Sequence, residues 1–425
     1  MNNLQCEKCN QEFAIDTSQE VCDCGGLLEV RVDQPKLPLS DLKKLFEERY
    51  ANRKRLEESG VWRYREMLPP FKDQEIVTRP EGNTPLYHHP LISKYAGIQS
   101  FWLKHEGENP TGSFKDRGMT VAMSRAKRKK SRAVACASTG NTSASLASYA
   151  ALAQLPAMVF VPSGKIATGK LSQTLAYGAK TLLIRGDFDK AMSFVQEVCR
   201  KLDIELVNSI NPFRLEGQKT IVWELLHQRN FDPPDWIVLP AGNLGNLSAF
   251  GKALLEARKW GFIKQLPRLA AIQAEGASPF FQSFAKNFSE RISVQAKTIA
   301  TAVQIGSPIS FDRAVRSIRA TNGIVITVND QEILNAKAII DRAGIGCEPA
   351  SACTLAGVRK LVSENIIQAN TQVVGILTGN LLKDPDTTLS FHNSEFKEID
   401  DSYVNKPVEI PLDIKVVEKL LDTTA

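Results

Sequence analysis

The sequence has no run of about 18 uncharged apolar residues, the length that a membrane-spanning helix needs. Its first residues also lack a basic segment followed by an apolar one, so we expect no secretory leader, no membrane partner and a cytoplasmic location. Internal repeats and low-complexity segments are absent as well. With 43% hydrophobic and 24% charged residues, the composition excludes a disordered, collagen-like or coiled-coil chain.

Neither sign of charge dominates: the formal net charge of +6 is mild for 425 residues and gives no reason to expect nucleic acid as a partner. The most basic run, Lys127–Arg132, stands at the end of a predicted helix, just before a predicted strand. Cations there complement the negative end of the helix dipole and stay in water. We therefore interpret the run as a solvated helix end.

Cysteines are few but unevenly placed, since Cys6, Cys9, Cys22 and Cys24 are half of the eight. A Cys-x2-Cys pair that faces a second cysteine pair is typical of a tetrahedral zinc site. The second pair has one intervening residue instead of the usual two to four, which strains such a site. Two interpretations stay open: a structural zinc site, or a zinc-ribbon-like module that folds without metal. The scattered cysteines are expected to be small core residues.

From residue 100 onward, apolar β-type runs alternate with amphipathic helical patterns. This alternation predicts an α/β fold with parallel sheets flanked by helices. Nearer the N-terminus, charge pairs at helical spacing predict a helix over Ser40–Glu58. The predicted strands are Arg132–Ala137, Ala157–Val161, Lys180–Ile184, Trp236–Leu239, Leu269–Gln273, Ile324–Val328 and Gln372–Leu377.

Four segments combine tight turns with strand ends or helix starts. In the first, an Asn-Pro-Thr-Gly turn leads to Ser113, which can cap a helix, and to Lys115 in the first turn of that helix. The positive end of the helix dipole and the nearby Arg117 would lower the pKa of Lys115, as a Schiff-base lysine requires. Taken alone, Lys115 fits an ordinary lysine at a helix start better than a Schiff-base lysine.

The other three segments, Ala137–Ser143, Pro240–Asn246 and Gly375–Asn380, each follow a predicted strand. Hydroxyl groups and free backbone N–H groups at such places hold carboxylates or phosphates. Two glycines three apart in Pro240–Asn246 let the backbone wrap around an anion. This segment lacks the Gly-Lys-Ser/Thr of a P-loop and the glycine spacing of a dinucleotide site. Each segment alone also fits a routine turn.

Together the four segments resemble the pyridoxal-phosphate enzymes of the tryptophan synthase β fold (fold type II), most closely the threonine synthases. Glu81–Leu86 and Ser209–Lys219 add to this resemblance, which covers about residues 75–385. The string Asn109–Arg117 is characteristic of the whole superfamily, whereas Ser209–Lys219 points to the threonine synthases. A cysteine module ahead of the body is also seen in some of them.

The resemblance implies a two-domain α/β body of fold type II, preceded by a small zinc-ribbon-like module. We divide the chain accordingly into a cysteine module (1–30), a connector with the start of the catalytic body (31–100), a small cofactor domain (101–215), a large cofactor domain (216–400) and a C-terminal tail (401–425).

By position, the resemblance implies that Lys115 holds the cofactor as a Schiff base, that Asn141 binds its 3′-oxygen and that Thr378 faces its pyridine nitrogen. A threonine hydroxyl can donate to a neutral pyridine nitrogen, which leaves the ring a weaker electron sink and suits elimination and replacement chemistry. The cofactor phosphate would be held by the backbone amides of Gly242, Asn243, Leu244, Gly245 and Asn246.

The implied reaction converts O-phospho-L-homoserine and water to L-threonine and phosphate, which makes the chain a homodimeric lyase of threonine biosynthesis. Such a substrate needs two anion sites beyond that of the cofactor. For its carboxylate we expect Ser138, Thr139 and Thr142. For its phosphate we expect Ser209, Asn211 and Arg214, with Asn243 shared, because arginine binds phosphate through paired hydrogen bonds.

Two alternatives stay open. A sibling enzyme of the same fold, such as a threonine dehydratase, a cysteine synthase or a cysteate synthase, differs only in the segment that binds the substrate phosphate. A zinc-ribbon adaptor without catalysis, binding nucleic acid or protein, belongs to another class. It would need a basic patch interleaved with aromatic residues, and the sequence has none.

Overall fold

The computed structural model describes residues 2–17, 19–52, 54–162, 171–184 and 188–424. In these ranges the strands are β1 (Asn3–Cys6), β2 (Glu12–Ala14), β3 (Leu28–Arg31), β4 (Leu86–Tyr87), β5 (Phe101–His105), β6 (Ala133–Ala137), β7 (Ala157–Pro162), β8 (Lys180–Ile184), β9 (Ile204–Leu206), β10 (Trp236–Pro240), β11 (Arg268–Ala274), β12 (Ile324–Val328) and β13 (Val373–Leu377). All seven predicted strands are confirmed, with ends that differ by at most one residue.

The α-helices of the same ranges are α1 (Leu39–Ala51), α2 (Pro90–Ala96), α3 (Lys115–Lys129), α4 (Asn141–Ala153), α5 (Ser172–Ala176), α6 (Phe188–Lys201), α7 (Pro212–Gln228), α8 (Gly245–Lys259), α9 (Pro279–Ala285), α10 (Phe311–Ala320), α11 (Asp330–Arg342), α12 (Pro349–Ser363), α13 (Pro385–His392) and α14 (Ile414–Thr424). Among the described residues, no helix combines the length and the apolar character that crossing a bilayer requires.

The strands form two mainly parallel sheets and one small antiparallel sheet. The large sheet has the order β12-β11-β10-β13-β5-β4, in which only β4 runs antiparallel to its neighbour. The second sheet, β8-β7-β6-β9, is parallel throughout. The cysteine module contributes the third sheet, β2-β1-β3. The predicted α/β class with parallel sheets is therefore confirmed.

Two expectations from the sequence need correction. Strand β5 was assigned to the domain 101–215, but it pairs in parallel with β13 and so belongs to the large sheet. A division by sequence position cannot detect a pairing partner that lies so far along the chain. The helix predicted over Ser40–Glu58 ends at Ala51, because the backbone of Asn52 is extended (φ −95°, ψ 134°). The remaining domain boundaries stay predictions.

Helices α3 and α7 cross with their backbones in contact. A Cβ atom on Gly217 would lie 1.7 Å from the carbonyl oxygen of Arg117, and one on Gly118 would lie 2.8 Å from the carbonyl oxygen of Arg214. Real Cβ atoms do not approach other atoms this closely, so the crossing requires both glycines. The crossing brings the N-terminal turns of the two helices together.

A buried cluster of charges stabilises the same crossing. Arg117 is fully buried and pairs with Glu106 (Nε–Oε2, 2.6 Å) and with Glu224 (Nη2–Oε1, 2.9 Å). Lys104 of β5 also pairs with Glu224, which accepts the backbone N–H of Thr84 at 2.9 Å. The two flanking cations hold the pKa of Glu224 well below its usual range, although burial alone would raise it. The cluster therefore ties α3, α7 and β5 together.

We predict that Glu224→Gln lowers the free energy of unfolding by about 3–5 kcal/mol, because it leaves Arg117 and Lys104 buried with one negative charge fewer. Urea unfolding at pH 7 measures the loss. The exposed Glu364, at the end of α12, offers the matched control Glu364→Gln, which should change stability by less than about 0.5 kcal/mol. Equal losses in the two variants would contradict this role of the cluster.

Candidate active site

A cavity of about 1320 Å³ lies at the carboxyl ends of β6, β10 and β13, where parallel α/β sheets commonly bind ligands. The loop that follows β5 forms a further wall. Of the residues that the sequence marked, the cavity is lined by Lys115, Ser138, Thr139, Asn141, Thr142, Ser209, Arg214, Gly242, Asn243, Leu244, Gly245, Asn246 and Thr378. The folding of the chain thus brings the four turn segments and the segment Ser209–Lys219 to one place.

Lys115 is the first residue of α3, and its Nζ lies 4.1 Å from the ring centroid of Phe114. The predicted cap is wrong, because no side chain caps this helix. Ser113 instead forms a β-bridge with Gly379, and its buried hydroxyl has no hydrogen-bond partner among the described residues. The bridge joins the turn before Lys115 to the loop after β13.

Desolvation lowers the pKa of Lys115 to about 7, and the guanidinium of Arg214 acts in the same direction, while the carboxylate of Glu348 opposes both. The sequence suggested Arg117 as the neighbouring cation, and this is wrong. The charge of Arg117 is already balanced by Glu106 and Glu224. Near neutral pH the amine of Lys115 therefore exchanges easily between its charged and neutral forms.

The loop after β10 has the features of an anion site. Leu244 adopts a left-handed conformation (φ 64°), and α8 begins at Gly245 with no side-chain cap, so its first N–H groups are free of intrahelical partners. The buried side-chain amide of Asn246 has neither of its polar atoms bonded within the described part of the chain. The same holds for the Ser310 hydroxyl and for Oε1 of Gln218. Buried donors seldom stay unpaired, so an anion fits Nδ2 of Asn246 and the Ser310 hydroxyl, whereas the amide oxygens of Asn246 and Gln218 can only accept a hydrogen bond.

Asn243 and Ser209 connect this loop to its neighbours. The Asn243 side chain donates from Nδ2 to Oγ of Ser209 (2.8 Å), and its Oδ1 accepts the backbone N–H of Ile309 (2.7 Å). Because Ser209 precedes α7 and Ile309 precedes α10, one amide holds three segments around the cavity.

Arg214 is 2% exposed and lines the cavity from α7. Its Nη1 donates to the carbonyl oxygen of Val207 at 3.3 Å, and its Nε has no partner in the described ranges. No carboxylate of the described residues lies within 4 Å of it, and burial lowers its pKa to about 10. A buried cation without a carboxylate partner favours binding of an anionic ligand.

Asn211 does not line the cavity, which corrects its expected role as a ligand of the substrate phosphate. Its Oδ1 caps α7 by accepting the backbone N–H of Phe213 (3.1 Å). Its Nδ2 donates to the carbonyl oxygen of Leu206 and to the carboxylate of Glu205, each at 3.3 Å. An asparagine that caps a helix directly before a proline is common, so capping explains the presence of Asn211 without any role in ligand binding.

Sequence reasoning missed Glu348, which lies between two predicted cofactor contacts. Its Oε2 accepts from Nδ2 of Asn141 (3.0 Å), and its Oε1 lies 3.4 Å from Oγ1 of Thr378. Burial raises the pKa of Glu348. It stands directly before Pro349, the first residue of α12, and an acidic residue at a helix start is too common to mark a site.

Ser351 was also missed, and it orients Thr378. Its Oγ accepts the backbone N–H groups of Thr378 (2.8 Å) and Gly379 (2.9 Å), which occupies both of its lone pairs. Its own proton can then go to Oγ1 of Thr378, 3.0 Å away, or to the carbonyl oxygen of Gly379, 3.4 Å away. The hydroxyl proton of Thr378 thus remains available for Glu348 or for a ligand in the cavity.

The four N-terminal cysteines converge at a distance from this cavity. The Sγ atoms of Cys6 and Cys24 are 3.4 Å apart, those of Cys9 and Cys22 are 3.6 Å apart, and all four lie within 4.8 Å of one another. Tetrahedral zinc with bonds of about 2.3 Å needs similar sulfur separations, close to 3.8 Å. Desolvation raises the pKa of Cys6, but the backbone N–H groups of Cys9 and Lys8 outweigh it and lower the value to about 6. The donor set fits a zinc ion.

Comparison with known proteins assigns the chain to a family. Residues 77–379 match the family described as pyridoxal-phosphate dependent enzyme. The chain is 43% identical to a threonine synthase of Methanocaldococcus jannaschii over 98% of both chains, and 44% identical to one of Methanosarcina acetivorans over 92% of this chain and 94% of the relative.

Solved structures agree on the fold. A threonine synthase from Escherichia coli superimposes with a TM-score of 0.69 over 100% of both chains at 17% identity. A maize serine racemase gives a TM-score of 0.62 over 75% of this chain and 93% of that one, at 23% identity. The chain therefore belongs to the pyridoxal-phosphate-dependent enzymes and, among them, to the threonine synthases.

Proposed function

We propose that this chain converts O-phospho-L-homoserine and water to L-threonine and phosphate, with pyridoxal phosphate as its cofactor. The observation that carries the proposal is that one cavity holds both Lys115, whose pKa is lowered to about 7, and the buried Arg214, which has no carboxylate partner in the part of the chain that the structure describes. The first provides a proton acceptor at neutral pH, and the second provides a site for a phosphorylated substrate.

The described residues fit the cofactor. Free N–H groups at the start of α8 suit its phosphate, together with Nδ2 of Asn246 and the Ser310 hydroxyl, which have no partners within the described ranges. Asn141 and Thr378 are proposed to bind the ring oxygen and the ring nitrogen, and Lys115 to hold the aldehyde carbon. When bound, the cofactor supplies an electron-withdrawing ring that stabilises negative charge on substrate carbons.

The protein itself has to bind, orient and move protons. The Lys115 amine is proposed to take protons from substrate carbons and to return them later, which its pKa near 7 permits. Arg214 would bind the substrate phosphate, which leaves with the electron pair of its C–O bond, and water adds to the neighbouring carbon. Ser138, Thr139 and Thr142 would bind the carboxylate at the start of α4, whose N-terminus has no side-chain cap.

We further propose that the cysteine module binds one zinc ion through Cys6, Cys9, Cys22 and Cys24. The converging sulfur atoms support this interpretation over a module that folds without metal. A homodimer and a cytoplasmic location are also proposed, on the resemblance to the family alone. Gel filtration with light scattering would test the first and cell fractionation the second.

We predict that the holoenzyme releases threonine and inorganic phosphate in equal amounts from O-phospho-L-homoserine. Chromatography of the amino acids and colorimetric phosphate determination measure the two products. If the protein instead made pyruvate or 2-oxobutyrate from free serine or threonine, and no threonine from the phosphorylated substrate, it would be a sibling lyase.

Two lysines of α3 give this assay a matched pair. Lys115→Ala should abolish the visible absorption band of the lysine-bound cofactor and lower the rate by at least about a hundredfold, because it removes the proton acceptor. Lys127→Ala, at the exposed end of the same helix, should leave both unchanged. Loss of the band in both variants would argue against Lys115 as the attachment point.

We predict that cofactor capture by the cofactor-free protein slows below pH 7, because only the neutral amine of Lys115 attacks an aldehyde. Stopped-flow absorbance after adding pyridoxal phosphate measures the rate. Arg214→Met removes a cation that lowers the pKa of Lys115, so the midpoint should move to higher pH. The exposed Arg359 offers the control Arg359→Met, which should not move it. A midpoint unmoved in Arg214→Met would contradict the coupling.

We predict one zinc ion per purified chain, measured by plasma mass spectrometry. Cys24→Ser removes a ligand at an exposed position and should abolish the bound zinc, whereas the buried Cys199→Ser should retain it. Chelator treatment should lower the unfolding temperature of the wild-type protein and leave that of Cys24→Ser unchanged. If the wild-type protein unfolded at the same temperature before and after its metal was removed, the module that folds without metal would be favoured.

A further inference from the structure

The cysteine module packs on the side of α7 that faces away from the cavity. Phe213, in the first turn of α7, is fully buried in one apolar cluster with Cys6, Cys22, Leu28 and Val30 of the module. Arg214 and Gln218 of the same helix line the cavity. Because residues four apart lie on the same face of a helix, Arg214 and Gln218 mark the face of α7 that is turned toward the cavity.

Polar contacts fix the N-terminus of α7 to the module. Nδ2 of Asn211, the residue that caps the helix, shares its two N–H bonds between Leu206, Glu205 and, at 3.5 Å, Oε1 of Glu20. Glu20 lies in the loop between the two cysteine pairs. Next to it, Arg125 of α3 donates to the carbonyl oxygen of Thr17, and its guanidinium lies 4.6 Å from the ring centroid of Phe213.

A second contact lies one turn further along α7. Glu216 is buried and pairs with Lys252 of α8, and Lys252 also donates to the carbonyl oxygen of Val30 in β3. Lys219 pairs with Glu216 as well, at 2.7 Å. The module thus contacts α7 before and after Arg214, while the crossing with α3 limits movement on a third side.

We propose that the cysteine module positions the anion-binding face of α7, with Glu20 and Lys252 as positioning residues that act through Asn211 and Glu216. Among the described residues the guanidinium of Arg214 makes one hydrogen bond, to the carbonyl oxygen of Val207, so the backbone of α7 largely determines where its charge lies. Loss of the contacts between the cysteine module and α7 therefore weakens the binding of a phosphate group at Arg214. The inference rests on the proposed function in taking Arg214 as a phosphate ligand.

The test measures binding of inorganic phosphate to the holoenzyme by calorimetry, beside the steady-state constants for O-phospho-L-homoserine. Glu20→Ala should weaken phosphate binding and raise KM by about three- to tenfold, the effect of one hydrogen bond, with kcat within about twofold. Glu20→Gln keeps an oxygen acceptor for Asn211 and should restore wild-type values. The exposed Glu12→Ala, in β2 of the same module, is the matched control.

Lys252→Met tests the second contact independently, also if Glu20→Ala fails to fold. It leaves Glu216 paired with Lys219, and Lys259→Met, at the exposed end of the same helix, is its control. Weakened phosphate binding in Lys252→Met but not in Lys259→Met supports the proposal. Variants that lose thermal stability while binding phosphate as their controls do would overturn it, because the module would then only stabilise the fold.

The phosphate measurement separates this inference from the proposed reaction. A protein that makes no threonine, yet whose phosphate affinity depends on Glu20 and Lys252, would refute the reaction and keep the inference. A protein that makes threonine with phosphate affinity independent of both residues would refute the inference alone.

Discussion

The backbone contact between α3 and α7 is the constraint on which the active site depends. Lys115 begins one helix, and Arg214 lies in the first turn of the other. Any side chain at Gly217 would collide with the carbonyl oxygen of Arg117, so a larger residue there would move the helices apart. Their closeness explains why the charge of Arg214 acts on the pKa of Lys115. The buried ion pairs of Arg117 hold the same crossing and contribute no charge to the site.

Sequence reasoning succeeded where the signal is local. A strand such as Trp236–Pro240 is buried on both faces of a parallel sheet and therefore needs apolar residues at successive positions. Five consecutive residues of the sequence are enough to show this pattern. Glu348 was missed because its partner Asn141 lies 207 residues away, and Ser351 because Thr378 lies 27 residues away. Sequence spacing carries no information about such partners. For the same reason the sequence predicted Asn211 as a site residue. Its side chain instead caps α7 through a local hydrogen bond to the backbone N–H of Phe213.

The cavity carries polar groups that the protein alone does not satisfy. The donors Nδ2 of Asn246 and Nε of Arg214, which line the cavity, have no partners in the described parts of the chain, whereas buried groups are normally paired. Each unpaired group costs about 1–3 kcal/mol, so the site is strained in favour of an anionic ligand. A cofactor phosphate that binds only the folded chain would return this energy as stability.

The cysteine module shows how a spacing that looks unfavourable can be accommodated. One residue between Cys22 and Cys24 is short for a zinc site, but the next two residues are glycines. Gly25 adopts φ 78°, and a Cβ on Gly26 would lie 2.5 Å from Sγ of Cys6. The glycine pair thus turns the chain sharply and lets the first cysteine approach the second pair. The short spacing between Cys22 and Cys24 taken alone weakens the prediction of a zinc site. The conformational freedom of the two glycines that follow removes this objection.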